Sequence, residues 1–225
     1  MPASVATNLA HVRVAIQQSA TRAGRDPGLI KIVAVTKTLP IQRVREAIEA
    51  GLGALGENRV QEALPKIEAI GVGQADWHLI GHLQSNKVKF VEGHFLMVQS
   101  VDSVDLIRAM DRRLESPIDV LIEVNVGEEP QKTGAAPSDL AGIVQAAQAS
   151  AQLRLQGLMT IAPLSTDPEA ARPVFRRLHR LRAEMAERFG ISLPELSMGM
   201  TDDYAIAVEE GATMLRLGRA LFGPR

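Results

Sequence analysis

Short apolar runs alternate with longer stretches in which apolar residues recur every three or four positions, and this alternation persists from residue 30 to the end of the chain. The short runs predict strands at 30–36, 54–57, 77–81, 95–98, 120–126, 155–160, 196–198 and 214–217. The longer stretches predict helices at 41–50, 59–70, 86–91, 103–114, 138–149, 168–189 and 203–210, with a short one at 219–222. An amphipathic helix over 4–22 precedes the first strand. Strand then helix, repeated eight times with short connections, is the pattern of a (β/α)8 TIM barrel. An open doubly wound sheet is the rival, because periodicity does not say whether the strands close on themselves. Its dinucleotide fingerprint is missing: Gly51, Gly53 and Gly56 follow a helix and precede a strand, the wrong order for that site. A capped helix end and a turn account for them. The most loop-like segment, 127–137, is too short to separate domains, so residues 1–225 read as a single domain.

Composition narrows the function classes. The chain has 225 residues, 46% of them hydrophobic, which is enough for a full core. A formal net charge of −1 and 3% aromatic residues argue against a nucleic-acid partner, which calls for a basic face and stacking rings. With no cysteine there is neither a disulfide nor a thiolate metal site. The first residues lack a basic stretch followed by an apolar one, and no run is long enough to span a bilayer, so the expectation is a cytoplasmic protein without a membrane partner. The lack of a long exposed apolar stripe points to a monomer.

In a barrel of this type, chemistry sits where strands end and βα loops begin. Lys37 follows the first predicted strand, Val33-Ala34-Val35-Thr36. An amine enclosed by apolar neighbours is more often the neutral nucleophile that condenses with an aldehyde, and pyridoxal phosphate carries one. Equally, Lys37 can reach solvent along its stem or pair with Glu57 on the adjacent strand. Ser197, Gly199 and the following polar residues precede one helix, and Gly218-Arg219 opens another. Two adjoining helix starts offer N–H groups to a phosphate, alongside ordinary capping by Thr201 or Asp202. Arg216 interrupts the apolar strand Met214-Leu215-Arg216-Leu217. Facing the mouth, its permanent cation would stand by a pyridine nitrogen and leave it unprotonated; the other reading is a salt bridge to Glu123 or Glu57. His78 reads as a supporting donor or as a core histidine satisfied by backbone. His82 and His94 lack acidic partners at ligand spacing, so no metal is expected. Glu128-Glu129 and Asp202-Asp203 read as solvated loops or helix starts, and Met159, Met198 and Met200 as core filling or as packing for a flat ring.

Together these residues carry a resemblance that runs nearly the whole length. The chain resembles the YggS/PROSC family of pyridoxal-phosphate-binding homeostasis proteins in Val33-Ala34-Val35-Thr36-Lys37, Gly56-Glu57-Asn58, Trp77-His78-Leu79-Ile80-Gly81, Gly157-Leu158-Met159, Leu196-Ser197-Met198-Gly199-Met200 and Arg216-Leu217-Gly218. The resemblance implies a barrel similar to the N-terminal domain of alanine racemase, with pyridoxal 5'-phosphate held as a Schiff base on Lys37. It also implies that Asn58 approaches the ring hydroxyl, Arg216 the pyridine nitrogen, and Ser197, Gly199 and Gly218 the phosphate. Two positions depart from the family pattern: Arg59 stands where many members carry tyrosine, and Arg219 where many carry a threonine, so that charge replaces a hydroxyl contact. Members are understood as carriers acting in vitamin B6 and amino-acid homeostasis, with no catalytic residue assigned and apoenzymes as transient recipients. A racemase using Lys37 as base is the alternative, but it needs a second acid/base, and Tyr204 is the chain's single tyrosine. A barrel enzyme acting on a phosphorylated metabolite is a third reading.

Overall fold

Successive residues of a strand face opposite sides of a sheet, and here both sides are dry over most of each strand, with exposure confined to residues such as Lys31, Asp76 and Arg154 near the strand starts. The computed structural model describes residues 4–128 and 133–224; Glu129, and with it part of 127–137, lies outside the described residues. Eight parallel strands are β1 (Lys31–Val35), β2 (Ala54–Glu57), β3 (Asp76–Leu79), β4 (Met97–Val101), β5 (Ile118–Glu123), β6 (Leu153–Met159), β7 (Glu195–Ser197) and β8 (Met214–Leu217). They pair in chain order, and β1 pairs with β8 as well as β2, which closes the barrel and rules out the open sheet. Leu55, Val98, Val120, Ile122, Leu196 and Leu215 join the apolar faces of the helices in the main core. Met97, Leu121, Met159 and Met214 form a separate buried cluster inside the barrel.

The helices are α1 (Val5–Arg22), α2 (Ile41–Glu49), α3 (Val60–Ile70), α4 (Val104–Arg113), α5 (Leu140–Ala149), α6 (Arg172–Phe189), α7 (Tyr204–Glu209) and α8 (Arg219–Phe222). Helix α1, which precedes the barrel, begins at Ser4, whose hydroxyl accepts the Thr7 N–H at 3.1 Å. Its buried stripe of Leu9, Val12, Ile16 and Ala20 packs over α7 and α8, and Asn8 Nδ2 donates to the Leu221 carbonyl at 2.9 Å. The expected helix at 86–91 is instead a 3₁₀ segment, Ser85–Phe90, and that expected at 168–189 opens with a 3₁₀ turn, Pro168–Ala171, before α6. Pro168 and Pro173 each lack an N–H and sit in the first turns of these segments, where none is needed. Strand β4 extends past the apolar run to Val101 because Gln99 and Ser100, though polar, are fully buried and hydrogen-bonded. Strand β5 stops at Glu123, short of the expected 126; Val124 makes only an isolated bridge to Ala135.

Two features fix how neighbouring strands meet, one within the sheet and one at the mouth. In β6 the pairing steps from Leu155 to Gly157, leaving Gln156 as an extra residue in a bulge. There the backbone of β7 comes so close that a Cβ on Gly157 would stand 1.8 Å from the Glu195 carbonyl oxygen. Between β2 and α3, Lys66 is 8% exposed and Glu57 0%. Lys66 Nζ donates to Glu57 Oε1 at 2.6 Å and to the Thr36 carbonyl at 2.7 Å, and the Thr36 hydroxyl donates to the same carboxylate oxygen at 2.6 Å. This buried pair therefore clamps the C-terminal end of β1 to that of β2.

Both features make predictions for chemical denaturation. Gly157→Ala forces strands β6 and β7 apart and is expected to lose about 3 kcal/mol or more, read as a lower urea midpoint. Lys66→Met leaves Glu57 charged in an apolar layer and is expected to cost about 3–5 kcal/mol, with part recovered when Glu57→Gln is added. A single variant as stable as the wild type would refute the clamp.

Candidate functional site

Lys37 lies two residues beyond the end of β1, in a turn closed by the Leu39 N–H donating to the Thr36 carbonyl at 3.1 Å. It is half-buried, not enclosed as expected, because this turn carries it to the rim of the mouth. Glu57, its suggested partner, is held by Lys66 from behind the sheet. Thr38, the next residue, sits at φ 61°, a left-handed conformation costing a non-glycine residue about 1–2 kcal/mol. Strain of this kind persists where surrounding structure over-determines it; here the Lys66 contact pins the Thr36 carbonyl that closes the turn. Val35 pairs with Gly56, so two residues on, the register carries Lys37 opposite Asn58, which is half-buried at the end of β2. Asn58 also lies against the chain just beyond β3: a Cβ on Gly81 would stand 2.4 Å from the Asn58 carbonyl oxygen.

Arg216 pairs with Val33 on the strand beside Lys37 and faces inward, two residues above Met214 of the inner cluster. Its Nη1 donates to Ser197 Oγ at 2.6 Å and its Nη2 to the Thr160 carbonyl at 2.7 Å. Ser197 Oγ donates to Gln99 Oε1 at 2.6 Å, and Gln99 Nε2 meets His78 Nδ1 at 2.9 Å. All four side chains are buried. Burial lowers the Arg216 pKa to about 10, with the Glu123 and Asp203 carboxylates opposing the shift, so the cation persists at neutral pH. Burial in turn raises the pKa of Glu123, opposed by the Thr133 hydroxyl and by Arg216, and likewise that of Asp203. Among the described residues no salt bridge joins Arg216 to Glu123 or Glu57. His78 is satisfied not by backbone but by Gln99, and its Nε2 has no hydrogen-bond partner among the described residues.

The turns after β7 and β8 adjoin this mouth. Gly199, at φ 93°, has room only for hydrogen: a Cβ would stand 2.5 Å from Ala207 Cβ and 3.2 Å from Tyr204 Cα. Gly218 opens α8, its carbonyl accepting from the Leu221 and Phe222 N–H groups at 2.9 and 3.0 Å. Thr201 Oγ1 accepts the Ala220 N–H at 3.1 Å, so it serves α8 and not the helix that follows it, while Asp203 accepts the Met200 N–H at 2.6 Å. Arg219 pairs with Asp202, and exposed Arg59 with Glu62 at 3.3 Å. Met159 and Met198 are fully buried core residues, and Glu128 bonds Arg177 at 2.6 Å. A groove of about 610 Å³ lies at the opposite face among Arg13, Lys31 and Asp76, but these are solvent-facing side chains, and the buried cation and the rim amine belong to the mouth.

The donor set at the mouth, a rim amine beside a buried guanidinium, suits a ligand with both a carbonyl carbon and a hydrogen-bond acceptor. Gln99, Thr160 and Lys66 escape a sequence reading: Gln99 was legible only as the polar end of an apolar run, and Lys66 only as a lysine on the buried side of an amphipathic helix.

His78 couples this network to pH. Burial, with Lys31 adding, lowers its pKa from 6.5 to about 4. The unfolded chain therefore binds the proton first, and stability falls as pH drops from 6.5 to 4, by about 3 kcal/mol in all. The raised carboxylates act in the opposite sense. The difference in unfolding free energy between wild type and His78→Asn isolates the histidine: it should shrink across this window as pH falls, and a constant difference would refute the assignment.

The family model of the alanine racemase N-terminal domain matches residues 7–225. The chain is 42% identical over 220 residues to the pyridoxal phosphate homeostasis protein of Aquifex aeolicus, covering 96% of each, and 40% identical to that of Pseudomonas aeruginosa, covering 99% and 96%. PipY of Synechococcus elongatus, solved with PLP bound, superposes with a TM-score of 0.85 at 35% identity, over 97% of this chain and 100% of that one. Alanine racemase from Corynebacterium glutamicum shares the fold, with a TM-score of 0.75 at 17% identity over 98% and 61%. With a closed eight-stranded barrel, a lysine at its rim and these matches along nearly its full length, the chain belongs to the pyridoxal phosphate homeostasis family, within the larger alanine racemase N-terminal domain family.

Proposed function

We propose that this chain holds pyridoxal 5'-phosphate at the barrel mouth, on Lys37, and acts in vitamin B6 homeostasis as a carrier without catalytic turnover. The observation that carries the reading is the placement of Lys37, in the turn just beyond β1, and Arg216, on the adjacent β8, at one mouth, amine at the rim and cation within. When bound, pyridoxal phosphate supplies an aldehyde that condenses reversibly with a primary amine. Lys37 supplies that amine, and the pinned turn at Thr36 holds it at the rim. Asn58, opposite it in register, is placed to orient a ring substituent. Ser197 ends β7, Gly199 follows it, and Gly218 and Arg219 join β8 to α8, at the strand ends where this architecture commonly takes phosphate. The Ser197 hydroxyl is spent on Arg216 and Gln99 and its carbonyl accepts the Thr160 N–H at 3.1 Å, so its part at the mouth is to hold the guanidinium.

Arg216 sets the character of the site. A guanidinium that keeps its proton donates a hydrogen bond without protonating its acceptor, so a ring nitrogen beside it stays neutral and the ring is a poor electron sink. That favours holding over carbanion chemistry. Residues 1–225 then act as one cofactor-binding domain, monomeric and cytoplasmic, releasing its cargo to apoenzymes by transient encounter; among the described residues no helix is long and apolar enough to cross a membrane.

Borohydride reduction of the cofactor-loaded protein, followed by intact mass and peptide mapping, should place a pyridoxyl-sized increment on Lys37 that disappears in Lys37→Ala. L-Alanine in deuterated water should keep its α-hydrogen. An increment on another lysine would overturn the assignment, and exchange that depends on Lys37 would favour the racemase.

A further inference from the structure

The hydrogen bonds inside the barrel form a chain with a direction. Arg216 has only donors, so Ser197 Oγ must accept from it, at 2.6 Å. The serine proton is thereby turned toward Gln99, whose oxygen accepts it at 2.6 Å. This fixes the amide: Gln99 Nε2 faces His78 Nδ1 at 2.9 Å and approaches Met214 Sδ at 3.7 Å. An amide nitrogen only donates, so Nδ1 must carry a lone pair, and the proton of the neutral ring resides on Nε2, the atom without a partner. One fixed cation at the mouth dictates the tautomer of a histidine on the far side of the barrel. The dependence is reciprocal: if either amide contact is lost, Ser197 no longer has a unique orientation to offer the guanidinium.

We infer that Gln99 and His78, on β4 and β3, are positioning residues that aim the Arg216 guanidinium into the mouth through Ser197. The inference rests on the reading that Arg216 meets the ring of bound pyridoxal phosphate. Gln99 is the critical link, because among the described residues it alone hydrogen-bonds both the serine and the imidazole. Its apolar contact does not call for an amide, since Gln99 Nε2 lies 3.7 Å from Met214 Sδ; the serine and the imidazole do.

The first measurement uses the protein without cofactor. Long-range proton–nitrogen spectra of histidine-labelled protein at neutral pH should show His78 with Nε2 protonated and Nδ1 bare; a proton on Nδ1 would overturn the inference outright. The second uses Gln99→Met, which conserves volume and removes both polar contacts. The fixed tautomer should be lost, the dissociation constant for pyridoxal phosphate should rise about tenfold, and the absorption band of the loaded protein should shift, while borohydride still fixes the cofactor on Lys37. A folded variant with wild-type affinity, band and tautomer would sink the proposal; if the variant does not fold, the wild-type tautomer still decides. Failure of borohydride to modify wild-type Lys37 would count against the carrier reading, and the tautomer would remain a separate result.

Discussion

A guanidinium without water around it is the constraint from which the mouth of this barrel follows. Moving such an ion out of solvent costs several kcal/mol even after relaxation, and only well-placed acceptors offset it. Arg216 finds a serine oxygen and a main-chain carbonyl at 2.6 and 2.7 Å, with the carboxylates of Glu123 and Asp203 acting over longer range. Each acceptor has consequences. Ser197 must pass its proton on, Gln99 must be long enough to take it, and Thr160, just beyond β6, must turn its carbonyl to the guanidinium, its hydroxyl meanwhile donating to the Val124 carbonyl at 2.7 Å. A cation that needs so much support holds the polar interior in one arrangement.

The two lysines near the top of β1 show how neighbouring amines are given different work. Lys66 comes from a helix outside the barrel, is buried, and is tied to Glu57 and to the carbonyl preceding Lys37. Lys37 rides on the turn that this contact pins, next to a threonine in a strained conformation, and reaches the rim. The structural ion pair thus occupies the carboxylate that would otherwise quench the rim amine, and fixes the backbone that presents it. Gly81 and Gly199 do comparable work by letting main chain and helix approach where a methyl group would not fit.

The alternation of apolar runs and helical periods was sufficient to locate all eight strands, because both faces are dry over most of each strand and a parallel strand is therefore nearly continuous in hydrophobicity. The positions of Lys37, Asn58 and the two glycine turns at strand ends were legible for the same reason, since in a barrel the end of an apolar run is the rim, and Arg216 was legible as a cation interrupting an apolar strand. Periodicity erred where a polar residue is buried, as at Gln99 and Ser100 in β4, and where a proline shifts a helix start, as at α6. It could not tell which carboxylate meets which cation. Glu57 lies closer in sequence to Lys66 than to Lys37, but the choice depends on which side of the sheet each residue leaves.

Sequence by itself determined the elements, their order and the residue types available at the rim, because these depend on local pattern and on chemistry that side chains carry with them. Only the tertiary structure decided that the ends of the sheet meet, that Lys37 stands half-open and not enclosed, and that Arg216 is directed through a serine and an amide to a histidine on the far side of the barrel. Those outcomes depend on closure, which brings residues 19 to 98 positions apart in the chain within hydrogen-bonding distance, and no local period encodes which of them will meet.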